Sequence, residues 1–146
     1  MSMANASETA FLSLLFNNTD WTNVGDAAGL QNSAAAGSFY VALHTADPTD
    51  AGNQTTSEAS YTGYARVAVA RTVAGWTVSG NQVSNTATVQ FGECTAGSAT
   101  VTHFSVGLLA SGAGDILYSG ALSASRAVSA GITPLFNPST LVGTVD

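Results

Sequence analysis

From Phe39 onward the sequence runs in short stretches of alternating apolar and polar residues, separated by turn signals roughly every 8–12 residues. Successive side chains of a strand point to opposite faces. Phe39, Val41 and Leu43 therefore share one face, as do Val67 and Val69, with Arg66, Ala68 and Ala70 opposite them. Trp76–Val78, the tight turn Ser79-Gly80-Asn81 and Gln82–Asn85 read as a hairpin. Thr88–Phe91, Thr100–Leu109 and Ile116–Leu122 continue the series, and Ala127-Val128, Ile132–Phe136 and Thr140–Val145 close it. Short strands at this spacing build a sandwich or barrel of antiparallel strands. No fixed long period repeats, which disfavours propellers and solenoids. The expected fold is all-β: a jelly-roll-like antiparallel β-sandwich over residues 38–146, within a single domain spanning 1–146.

Residues 5–17 are the one helical segment. Asn5 and Glu8 have the spacing of a capping box, with Ser7 as an alternative cap. Phe11, Leu14 and Leu15, with Leu12 and Phe16, recur at three- and four-residue intervals and make a broad apolar face. So short a helix is not stable alone. It must dock, either over an open end of the β core or on a neighbouring subunit. Residues 18–37 read as an irregular connector, with Trp21 expected against the helix.

Between the strands at 39–43 and 64–71 lies a long polar loop. Pro48 has no N–H for a strand ladder. Asp47 and Asp50 can bond their own downstream amides, and His44 ends the first strand. The loop residues His44, Asp47, Pro48 and Asp50, and the helix residues Phe11, Leu14 and Leu15, are the candidate protein-contact positions.

Charged residues make up 8% of the chain, against about 25% in ordinary proteins. Lysine is absent and the cations are Arg66, Arg71 and Arg126, under a net charge of -6. Nucleic-acid binding needs a Lys/Arg patch that neutralises phosphates, so no nucleic-acid partner is expected. A neutral polar surface over a chain that is 45% apolar suits a protein covered by partners or a rigid structural subunit. Cys94 is the sole cysteine, which excludes an internal disulfide and reads as a small buried residue. The first residues lack a basic region before a short, interrupted apolar run, so neither a secretory signal nor a membrane span is expected. His44 and His103 are the only bases of their kind, and no GxSxG nucleophile motif accompanies them. No phosphate-cradling glycine loop is present. Pro48 and the missing terminal Glu break a calcium-loop reading of Asp47–Asn53, and no carboxylate pair is singled out. No catalytic, cofactor-binding or metal-binding residues are expected, and the chain does not read as an enzyme.

The segments LHTADPTDAGNQTTSEASYTGYARVAVAR, GWTVSGN, ATVTHFSVG and GDILYSGALSASRAVSAGITPLF together resemble a family of tailed-phage structural proteins. Its relatives are capsid cement, or decoration, proteins, and similar sequences are often labelled tail-fibre proteins. The resemblance covers most of residues 1–136, while Asn137–Gly143 departs from it. It implies a virion protein on the outer capsid surface, made late in the host bacterial cytoplasm. Its partners would be the major capsid protein and further copies of itself, as a homodimer or a trimer, with no cofactor. A tail-fibre or tail-associated subunit is the alternative. A carbohydrate-binding module, with Trp21, Trp76 and the tyrosines stacking on sugars, is the second.

Overall fold

The computed structural model describes residues 2–145. Helix α1 (Asn5–Asn17) is followed by strands β1 (Ser38–His44), β2 (Val67–Ala70), β3 (Trp76–Ser79), β4 (Gln82–Asn85), β5 (Val89–Gln90), β6 (Ser98–Gly107), β7 (Ile116–Ser129), β8 (Leu135–Phe136) and β9 (Val142–Thr144). They form sheets in the orders β2-β1-β6-β7, β3-β4-β9 and β5-β8. The pairs β1/β6, β6/β7, β3/β4 and β4/β9 are antiparallel. The fold is the all-β antiparallel class that the turn rhythm implies, with a single N-terminal helix. The chain divides into two compact units, one formed by residues up to Ser38, Ala70–Thr88 and the chain from Phe136 on, the other by Phe39–Val69 and Val89–Leu135.

In the first unit α1 buries Glu8, Leu12 and Phe16, residues four apart on one stripe. Phe16 meets Trp76 edge to face at 5.0 Å between ring centroids. Trp76 is thus the tryptophan that seats the helix, whereas Trp21 is half-buried and bridges to Leu30. The capping box does not form. Ala4 is the N-cap and no side chain caps the helix, because Asn5 has already entered the first turn and Glu8 faces inward. At the other end, the last carbonyls of a helix lack intrahelical partners and carry its negative dipole. Arg71 meets both needs. Its Nε donates to the Leu15 carbonyl (2.6 Å), Nη2 to Leu14 (3.0 Å) and Nη1 to Ala36 (3.1 Å).

The C-terminal segment, which departs from the resemblance, is pinned by one buried amide. Asn85 Nδ2 donates to the Ala87 and Asn137 carbonyls (both 2.8 Å), and Oδ1 accepts from Thr140 N (3.1 Å) and Leu141 N (2.9 Å). These bonds bring β9 alongside β4.

In the second unit β1 is one of the two inner strands of its sheet, and Phe39, Val41, Ala42, Leu43 and His44 are all buried. Val41 lies opposite Val106 and Leu43 opposite Phe104, so the alternation legible in both segments becomes one apolar face. The segments at 116–122 and 127–128 are not separate strands but parts of β7. Val101 pairs with Arg126 and His103 with Ala121, so Leu122–Ser125 bulge out opposite Thr102 alone. A bulge lets one strand carry extra residues while the ladder continues on either side.

Candidate interaction surface and the locked 45–57 loop

The long loop is closed at its base by backbone pairing. His44 and Glu58 form an antiparallel bridge, Thr45 N donates to the Ser57 carbonyl and Ala59 N to that of Leu43, both at 2.8 Å. A compact loop whose ends meet is an Ω-loop, packed by its own side chains. At its tip the Asp47 carboxylate accepts from Thr49 N (2.9 Å), the Asx turn expected there. Thr49 takes a left-handed φ of 62°, a conformation rare for a β-branched residue.

Three polar groups lock the loop from inside. The first is His44, which is 0% exposed. Its Nδ1–H donates to the Thr56 carbonyl and its Nε2 accepts from the Ser105 hydroxyl, both at 2.8 Å. A carbonyl only accepts, which assigns the proton to Nδ1 in the neutral ring. Burial holds the His44 pKa below its ordinary value, outweighing the Thr56 bond and Glu58, which raise it.

The second is Gln54, also 0% exposed. Its Oε1 accepts from Leu109 N (2.9 Å) and its Nε2 donates to the Tyr40 carbonyl (3.4 Å). The side chain threads between Gly107 and Gly114, where an added methyl would overlap it. Those glycines are required for close approach rather than for flexibility.

The third is the Glu58–Arg66 pair. Arg66 Nε donates to Glu58 Oε1 (2.7 Å) and Nη2 to Oε2 (2.8 Å), while Nη1 and Nη2 also reach the Leu109 and Gly112 carbonyls (3.0 and 2.8 Å). The Arg66 side chain is 2% exposed and that of Glu58 18%, so the forked pair is largely shielded from water. The Tyr64 hydroxyl donates to Glu58 Oε1 (2.9 Å) and accepts from Leu43 N (3.1 Å). Burial drives the Tyr64 pKa well above its ordinary value.

The candidate contact residues therefore divide. His44 and Pro48 are buried and offer no surface, while Asp47 and Asp50 are exposed at the tip of the same loop. Phe11, Leu14 and Leu15 are half-buried on α1, in the first unit, and the Leu14 and Leu15 carbonyls are engaged by Arg71. Gln54, Glu58, Arg66 and Ser105 were not singled out by pattern. The signal available for Arg66 was scarcity: where a chain has three cations, each is apt to hold something in place. The Ser105–His44 pair has the outline of a nucleophile and base, but both residues are 0% exposed and the third partner is a carbonyl, so it acts as a cross-link. Among the described residues no group of three or more His, Cys, Asp or Glu is placed to hold a metal. No described helix is long and apolar enough to cross a membrane. Trp76 and Tyr61 are buried and present no ring to a sugar.

Sheet and loop together define an antiparallel β protein whose 45–57 loop is sealed by its own polar groups. The chain belongs to the family described as Gp80, podophage GP4 fiber I protein gp80, whose model matches residues 2–144. It is a phage virion structural protein. The description is of a fibre rather than of a capsid decoration, and so fits the tail-fibre alternative at least as well as the cement reading. No curated protein matches the chain.

Proposed function

We propose that this chain is a structural subunit of a podophage fibre, acting through protein contacts without making or breaking covalent bonds. The match over residues 2–144 to a family described by a fibre protein carries the reading. The physical build supports it. A fibre subunit must hold its shape while neighbours bear on it, and here the 45–57 loop is tied by His44, Gln54 and Glu58–Arg66. Further copies of itself and neighbouring virion proteins are the partners.

Gold-labelled antibody against the chain, imaged on intact particles, tests the assignment. Label confined to fibres is the expected outcome. Label spread over the shell would replace it with the capsid-decoration reading.

A further inference from the structure

The β7 strand is the longest in the described chain, with fourteen residues, and it lies at the edge of its sheet. Most of its residues are exposed. An edge strand leaves a row of N–H and C=O groups unbonded on its outer side, a template for another strand. Natural edges are commonly blunted by Lys, Pro, inward charges or short length. The opposite edge of this sheet follows that rule through its short length: β2 has four residues. Ile116–Ser129 carries no Lys, no Pro and no acid, and Arg126 is its one charge.

Charge says what covers this edge. Each copy has a net charge of -6 and the nine acids fall at or before Asp115 or at Asp146. The stretch from Ile116 to Val145 is thus free of negative charge, so two copies that repel elsewhere meet there with least penalty. Small side chains, Ser119, Gly120, Ala121, Ser123, Ala124 and Ser125, allow close backbone approach. We infer that β7 is a self-association edge, on which a second copy of this chain pairs by strand addition. The bulge at Leu122–Ser125 divides it into two arms, Ile116–Ala121 and Arg126–Ser129, and sets the register. This inference names the surface for the self-association proposed above, yet its test in solution does not depend on where the protein sits in the particle.

Sedimentation of the purified chain across the micromolar range, with two paired variants, tests it. Ala121→Glu/Ser123→Glu puts acids on the edge. Val73→Glu/Ala74→Glu adds the same charge at exposed positions outside it. The expected result is self-association of the wild type, weakened at least about tenfold by the first pair and little changed by the second. A wild type that stays monomeric, or two pairs with equal effects, would overturn the inference. Amide exchange on the wild type guards against a variant that does not fold: Ile116–Ser129 should slow as concentration rises. Unchanged exchange there, or slowing only when another virion protein is added, would also overturn it.

Discussion

Two regions of the second unit reverse the usual relation between regularity and availability. The 45–57 loop has no repeating structure, yet its ends are bridged and its interior donors and acceptors are met by His44, Gln54 and Glu58–Arg66. The β7 strand is regular, yet its outer edge is left open. Irregular backbone becomes rigid when buried polar side chains satisfy it. Regular backbone becomes adhesive when its ladder ends without a guard.

Breaking the loop lock should have the largest effect. Glu58→Ala leaves the shielded Arg66 guanidinium without its carboxylate and should cost about 3–5 kcal/mol, read by urea unfolding. A loss no larger than that of a surface substitution would mean that the loop is not held by this pair. Gln54→Ala strands Leu109 N and empties the space between Gly107 and Gly114, for about 3 kcal/mol in the same assay.

The His44 lock should show itself through pH. The folded chain holds His44 neutral, with its pKa below the ordinary value, so the unfolded chain binds the proton more readily. Stability should be full above the unfolded pKa of about 6.5 and decline as pH falls from there to the folded-state pKa. Urea unfolding at a series of pH values should show that slope in the wild type and a flatter one in His44→Asn. Equal slopes would place the acid sensitivity elsewhere.

Smaller effects sharpen the contrast. Asn tolerates left-handed backbone better than Thr, so Thr49→Asn should stabilise by up to about 1 kcal/mol, seen as a raised melting temperature. Ser123→Ala, in the exposed β7 bulge, should change monomer stability by no more than about 0.5 kcal/mol. A large loss there would show that the bulge is part of the core and not an open edge.

Much of the fold is legible in the sequence because it rests on local periodicity. The helix at 5–17 and the paired apolar alternation of 39–43 and 102–106 follow from side-chain direction alone. The capping box failed because a cap depends on which residue turns first, and Ala4 rather than Asn5 takes that place. Alternation breaks off at Ser123–Arg126 because a bulge interrupts it without ending β7. The candidate site was legible only in part. Asp47 and Asp50 are exposed, whereas His44 and Pro48 are buried, since nothing in a local pattern says which side of a loop faces inward.

An antiparallel β class, the N-terminal helix, the Asx turn at Asp47 and a surface poor in charge are all properties of neighbouring residues and of composition, and so can be read along the chain. Folding in three dimensions is what brings Glu58 to Arg66, sets Gln54 between two glycines, carries Arg71 to a helix end more than fifty residues earlier, and leaves β7 at an edge. Each of these joins groups remote along the chain, and their proximity is set by sheet order and close packing, which no local pattern encodes.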